Sequence, residues 1–438
     1  MLNPWIGIIL VLIALGGLIG GLALLQKTKS PHPELIRKLL HIGMGLVTLS
    51  FPWVFTQSWP VILLAILSVT ALFAVKFMQS DSLTNVVHGV ARESLGEIYF
   101  PIAIALLFIV SHQQPILYVI PVLLLTLADA VAALIGVKYG QVTFTTADGV
   151  KSTEGSIAFF TVAFLSTLVP LLLFTTIGRA ELLLIALIIA TLVMYIEALS
   201  WKGLDNLFIP LGTFLLLKVY MTMGVTELSI RFVVIVLLFI SVVIWRKKTT
   251  LNDSAILAVA LAGYVIWAAG DWRWLLPAIL VFISYHRLSP KTEQNKERIH
   301  DARAVLAVAT PAMIWLFLAG EQGNEQYYFP FTVSFSAQLG MIALARLRHQ
   351  YPELGRINLW VRCLAQAGLI IFIPWLLIMG VNFPHLLLAG VGVALTGLAV
   401  VGFYYWQPQI EDCPTDNARY WRQSFIGIAT STASITFL

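Results

Sequence analysis

The sequence predicts an all-α, polytopic integral membrane protein with about 15–16 transmembrane helices, each using about 20 residues. Three observations carry that prediction. Of the 438 residues, 59% are hydrophobic and only 11% charged, against roughly 25% charged in soluble chains. The apolar residues form continuous blocks, such as 185–195 and 232–245, without the period-two alternation of an outer-membrane barrel. Most of the lysines and arginines fall in alternate connections between these blocks, as the positive-inside rule requires of cytoplasmic loops.

In chain order, the apolar runs predict spans over 5–25, 39–55, 61–78, 98–112, 117–137, 155–175, 182–199, 207–222 and 230–245. The series continues over 253–269, 274–285, 303–319, 329–345, 359–380, 385–406 and 422–438. The first run is too long for a signal-peptide core and has Lys27 and Lys29 behind it, which predicts a retained span with its N-terminus outside. The connections starting near 26, 79, 138, 200, 246, 286, 346 and 407 then lie inside, and the opposite loops hold only Arg179, Arg273 and Arg231.

A boundary is expected at Arg246-Lys247-Lys248, giving a domain over 1–248 and a further membrane domain over 249–438. The polar motifs stop there and have no second copy after it. The polar loop from Pro290 to Asp301 reads as a solvated connection. A net charge of +5 gives no case for nucleic acid. Cys363 and Cys413 sit far apart without CxxC or Cys/His surroundings, so neither a disulfide framework nor a zinc site is expected.

A charge inside a bilayer costs at least about 2.5–3.5 kcal/mol, so the ionisable residues beside spans are the informative minority. Five clusters stand out. Arg37, His41 and Gly45 share one helical stripe beside Lys38, an arrangement that suits phosphate at the membrane surface or simple anchoring at the headgroups. Arg92-Glu93, with Glu97 and the Tyr99-Phe100-Pro101 segment, suits a metal or a local salt bridge. Asp129 lies well inside an apolar helix with Ala133, Gly136 and Gly140 on its face; it needs a partner, and the small residues admit a neighbouring helix. Asp148-Gly149-Val150-Lys151-Ser152-Thr153-Glu154-Gly155-Ser156 runs into a helix start, where backbone N–H groups favour anions; a capped helix start with a snorkelling lysine is the alternative. Glu197 and Asp205-Asn206 flank a short loop suited to a divalent metal or a nucleotide ribose, or to capping the next helix. Together they describe phosphoryl chemistry on a lipid.

Arg37-Lys38-x-x-His41, Asp129 with Gly136 and Gly140, and Lys151-Ser152-Thr153-Glu154-Gly155-Ser156-Ile157-Ala158 resemble the CTP-dependent polyprenol kinase family, which includes dolichol kinase, phytol kinase and the CTP-type diacylglycerol kinases. The likeness extends to Glu197 and Asp205-Asn206-Leu207 and covers about residues 30 to 245. It implies transfer of the γ-phosphoryl group of CTP to an isoprenoid alcohol such as phytol, geranylgeraniol, a polyprenol or dolichol, at the cytoplasmic face of a bacterial inner membrane or its equivalent. The catalytic set it implies is Asp129, Lys151, Glu154, Glu197 and Asp205. Lys151, Ser152, Gly155, Ser156, Asn206, Arg37, Lys38 and His41 are then expected on the nucleotide or phosphate, and Asp129, Glu154, Glu197 and Asp205 on Mg²⁺. One departure is that Leu127-Ala128 precedes Asp129 where the phytol kinase branch has a glycine-rich lead.

Two other readings of the same polar pattern are a CTP:phosphatidate cytidylyltransferase and a secondary transporter. The K-R…K-D…H-G-G type of signature expected of the first is absent, and the crowding of charges at one face disfavours the second. Residues 249–438 carry no recognised motif. For them a lipid-handling domain, a substrate-delivery module and a dimerisation scaffold, the last implying a homo-oligomer, stay open.

Overall fold

The computed structural model describes residues 3–29, 31–78, 95–111, 114–146, 149–245, 251–288, 300–408, 410 and 417–438. The chain is an all-α polytopic membrane protein. Eight helices among the described residues are long and apolar enough to cross a membrane, and four shorter apolar helices lie at Trp59–Ala74, Gly96–Ser111, Asp253–Ala269 and Trp272–Tyr285. Every predicted span overlaps a helix. Arg92-Glu93, Asp148, Arg246-Lys247-Lys248, most of the 290–301 loop and Cys413 lie outside the described residues. The chain divides into two compact units, Met1–Ile235 and Val236–Leu438, a division that falls within the helix Val225–Trp245.

In the first unit, the run expected as one span over 39–55 is two helices, Pro33–Leu49 and the single turn Phe51–Val54, with Ser50 between them. Pro52 explains the break. It has no N–H to donate to the preceding turn, and its ring would press on the carbonyl four residues back.

A second difference is a two-stranded antiparallel hairpin in the stretch read as a glycine and hydroxyl loop. Its strands β1, Thr143–Thr146, and β2, Gly149–Ser152, pair Thr143 with Ser152 and Phe144 with Lys151. The hairpin leads straight into the helix Thr153–Phe174, and Thr153 N donates to Val142 O at 2.8 Å.

That helix packs on Arg179–Leu199 and on the C-terminal half of Pro115–Tyr139. Glycines set the second contact. A Cβ at Gly155 would stand 3.0 Å from Ala132 O and 3.3 Å from Gly136 Cα, and one at Gly136 would stand 3.1 Å from Ser152 Oγ. The small face predicted from Gly136 and Gly140 is therefore the surface on which the start of the next helix sits.

In the second unit, Tyr328–Gln350 is buried along nearly its whole length. It packs against Trp272–Leu288, Ala302–Gln322, Arg356–Met379, Phe383–Trp406 and Asn417–Ala433. Its interior hydroxyls are satisfied locally: Thr332 Oγ1 donates to Tyr328 O at 2.8 Å and Ser334 Oγ to Phe331 O at 2.7 Å. Ser336 pairs with Thr396 across helices at 2.8 Å.

Candidate active site

The first unit gathers its buried charges around three helix segments and the hairpin. Pro33–Leu49 begins with a cap in which His32 Nδ1 accepts from Glu34 N at 3.2 Å, and with proline at its first position, where a missing N–H costs nothing. Lys38 and His41, three residues apart, emerge on neighbouring turns and converge on Asp129. Lys38 Nζ lies 2.6 Å from Asp129 Oδ2, and His41 Nε2 lies 3.6 Å from the same oxygen. Lys38 and Asp129 are only 4% and 8% exposed, so neither charge is tolerable without the other. Arg37 instead turns back along its own helix to Glu34, with contacts of 2.6 and 3.1 Å.

His41 Nε2 also lies 2.8 Å from Leu125 O. A carbonyl only accepts, so the hydrogen sits on Nε2. Leu125 belongs to a π-helical turn, Leu124–Ala128, that ends immediately before Asp129. Such a turn holds one extra residue per hydrogen-bonded ring and re-aims the groups that follow. Pro121, one turn earlier within the same helix, lacks the N–H that would hold a regular ladder. On the facing helix, Gly45 leaves room for Thr126, whose side chain would collide with a Cβ there. Phe100 meets the His41 ring edge-on, with centroids 5.2 Å apart.

Lys151 enters from the hairpin. Strand alternation sends it to the face opposite Val150 and Ser152, and it reaches the last turn of Arg179–Leu199. There its ammonium donates to the Glu197 carboxylate at 2.6 Å and to the Glu197 carbonyl. A cation at a helix C-terminus is also favoured by the helix dipole. Burial pulls the Lys151 ammonium down, but the carboxylates of Glu197, Asp205 and Asp129 together more than offset this, and Lys151 is held above the ordinary lysine range. It stays charged at any physiological pH.

Asp205 opens the helix Asp205–Tyr220 after a turn in which Lys202 and Gly203 both adopt positive φ, 53° and 81°. The backbone there is strained at the non-glycine residue. Lys202 O accepts from Leu95 N at 3.1 Å, tying the turn to the start of Gly96–Ser111. Asp205 Oδ1 accepts from Asn206 N at 3.0 Å. Asp205 lies within electrostatic reach of Asp129, Lys151 and Lys38 together, which makes these groups one cluster. Among the described residues it is the carboxylate of this cluster without a lysine or arginine in contact.

The predicted site residues therefore divide. Lys38, His41, Asp129, Lys151, Glu197 and Asp205 come together, and Arg37 joins their field through Asp129 and Asp205. Ser152 caps the helix Thr153–Phe174 by accepting from Gly155 N at 3.1 Å, so two amides of that helix start, Thr153 and Gly155, already have partners. Glu154 turns to the hairpin, where its Oε1 accepts from Val142 N at 3.2 Å, while its buried Oε2 has no hydrogen bond among the described residues. Ser156 follows on the half-buried first turn of the same helix. Sequence reasoning groups Phe100 with Arg92-Glu93 and Glu97, not with His41, and misses the Leu125 carbonyl and the positive-φ turn at Lys202. Pro121 was the signal for the first and Gly203 for the last.

No three His, Cys, Asp or Glu side chains among the described residues are grouped as a ready-made metal cage. The donor chemistry nonetheless suits Mg²⁺, which is held by one or two carboxylates and completes its shell with water and substrate phosphates. Asp129 and Glu197 each engage a lysine through a single carboxylate oxygen.

No family model matches the chain, and no solved structure matches it. Over 214 residues the chain is 29% identical to the phytol kinase of Synechocystis sp., a match that covers 48% of this chain and 90% of that protein.

Proposed function

We propose that residues 1–248 form a membrane-embedded kinase of the CTP-dependent polyprenol kinase family, which moves the γ-phosphoryl group of CTP to an isoprenoid alcohol and yields the lipid monophosphate. The observation that carries this reading is the buried set Lys38–Asp129 and Lys151–Glu197, with Asp205 in reach of both pairs. The likeness to a phytol kinase over 214 residues supports it. The positive-inside pattern of the lysine- and arginine-rich loops supports a site at the cytoplasmic face of a bacterial inner membrane or its equivalent.

In this reading the two lysines are phosphate ligands held ready on carboxylates. When the nucleotide enters, Lys38 and Lys151 pass from carboxylate to phosphate oxygens, which leaves Asp129 and Glu197 free to hold Mg²⁺. Bound Mg²⁺ would draw charge from the phosphate oxygens. Asp205, the carboxylate without a cationic partner among the described residues, accepts the proton of the lipid alcohol. His41, with its Nε2 hydrogen on Leu125 O, fixes the Asp129 side of the site and stays in place as the lysines move. Arg37, Ser152, Gly155, Ser156 and Asn206 frame the nucleotide, and Glu154 braces the hairpin that carries Lys151.

The test is an incubation of the purified full chain in vesicles with γ-labelled CTP, Mg²⁺ and a panel of phytol, geranylgeraniol, farnesol, undecaprenol, dolichol and diacylglycerol. Label is expected in at least one isoprenoid alcohol and not in diacylglycerol. Label in no lipid would overturn the proposal. Pyrophosphate release with formation of a CDP-lipid would replace it with the cytidylyltransferase reading.

A further inference from the structure

The second unit contains a cavity of about 460 Å³, within the range of small-molecule sites. Its walls are largely apolar and among the described residues come from six helices, with Ile256, Ala260, Leu275, Phe282 and Val305 among them. The same cavity is lined by His300, Arg346 and Arg419.

Chain order places these three cationic or ionisable residues at one end. The helices Ala302–Gln322, Tyr328–Gln350, Arg356–Met379 and Phe383–Trp406 follow one another through short connections, so they alternate in direction. The start of the first, the end of the second and the start of Asn417–Ala433 then share a side. His300 immediately precedes that first start, Arg346 lies in the last turns of the second helix, and Arg419 lies in the first turn of Asn417–Ala433. Leu275, near the start of Trp272–Leu288, belongs to the opposite side by the same alternation.

The cationic end is tied down. Asn252 N donates to His300 O at 2.9 Å, Ala302 N to Ser254 Oγ at 3.3 Å, and the Tyr285 and His300 rings meet edge-on at 6.2 Å. Arg419 stacks over Phe403 at 5.7 Å, a contact that orients the guanidinium plane.

An apolar cavity with two guanidinium groups and an imidazole at one end matches one class of molecule. A hydrocarbon chain fits the walls, and a phosphate fits the planar donor forks of arginine. We propose that the Val236–Leu438 unit binds a single-chain lipid monophosphate, its chain between Ile256, Ala260 and Phe282 and its phosphate toward Arg346, Arg419 and His300. The choice of a prenyl phosphate as the probe rests on the kinase reading; the binding itself does not.

The experiment uses the full chain in detergent without nucleotide, and measures binding of geranylgeranyl monophosphate, geranylgeraniol, phosphatidylglycerol and inorganic phosphate. The expected result is saturable binding of geranylgeranyl monophosphate, at least about tenfold tighter than geranylgeraniol or phosphatidylglycerol, with inorganic phosphate alone bound far more weakly. Arg346→Gln and Arg419→Gln are each expected to remove most of that preference while leaving geranylgeraniol binding unchanged, and Ala260→Phe to block both prenyl ligands. Should either glutamine variant fail to fold, the matching lysine variant keeps the charge but loses the fork, and is expected to retain part of the preference. Equal binding of all three lipids, or a preference that survives both arginine substitutions, would overturn the proposal. Transfer of label from γ-labelled CTP is read on the same preparations: prenyl phosphate binding that depends on Arg346 and Arg419 without any label transfer would fail the kinase reading alone, and label transfer without that binding would fail this proposal alone.

Discussion

The two units both bury locally bonded hydroxyls and differ in whether they pair buried charges. In Met1–Ile235, beside locally bonded hydroxyls such as Thr167 and Thr213, buried charged groups meet across long stretches of chain: Lys38 finds Asp129 at 91 residues' separation, and Lys151 finds Glu197 at 46. In Val236–Leu438 the most deeply buried polar side chains, Thr332, Ser334, Ser336 and Gln338 among them, are neutral and completely covered. Their hydroxyls bond to the backbone one turn back or to a single neighbour. Ion pairs there sit nearer the surface, as with Arg273 between Asp271 and Glu325. Local hydroxyl bonds help helices pack. Desolvated ion pairs contribute little net stability against an apolar replacement, so their presence in the first unit calls for a chemical reason, and the proposed phosphate handling is one.

The sharpest way to break the comparison is Asp129→Asn. It strands a charged Lys38 that is 4% exposed and is expected to cost about 3–5 kcal/mol, read as a lower melting temperature, together with loss of lipid phosphorylation. A melting temperature within a degree of wild type would mean that Lys38 is not confined as described.

Gly155→Leu comes next. It drives a side chain into Ala132 O and Gly136 Cα, and overpacking of this kind costs about 1–3 kcal/mol. Because the same turn carries the Ser152 cap and adjoins Lys151, phosphorylation is expected to fall with it. The smallest effect belongs to the second unit. Ser336→Ala removes one neutral pair, and Thr396 keeps its own bond to Gly392 O at 2.8 Å, so the loss is about 1 kcal/mol with phosphorylation unchanged. A large loss of activity from Ser336→Ala would erase the contrast between the units.

Much of the fold was legible because bilayer thickness forces apolar runs of a set length, and every run expected as a span overlaps a helix. The break at Ser50 was legible in Pro52 but was masked by the apolar residues on both sides. The hairpin was not legible: strands of four residues rich in threonine have no periodicity that separates them from a polar loop. Within the site, Asp129 was marked by its position alone, since an acid deep in an apolar helix needs a partner. Which partner it takes was hidden, because that partner lies 91 residues away in sequence: Lys38 of Pro33–Leu49 meets Asp129 directly after the π-helical turn at Leu124–Ala128. Ser152 read equally well as a phosphate ligand or a cap, and its bond to Gly155 N is a cap.

The most direct measurement replaces the pair Lys38 and Asp129 together, as Lys38→Met with Asp129→Leu, and follows both melting and transfer of label from γ-labelled CTP to geranylgeraniol. Exchanging a buried ion pair for packed apolar side chains is often neutral or stabilising, so the double variant is expected to melt at or above the wild-type temperature. It is also expected to lose at least about 10²-fold in transfer. A folded double variant that still phosphorylates the alcohol at the wild-type rate would contradict the account, because the buried charges of the first unit would then be scaffolding and not chemistry.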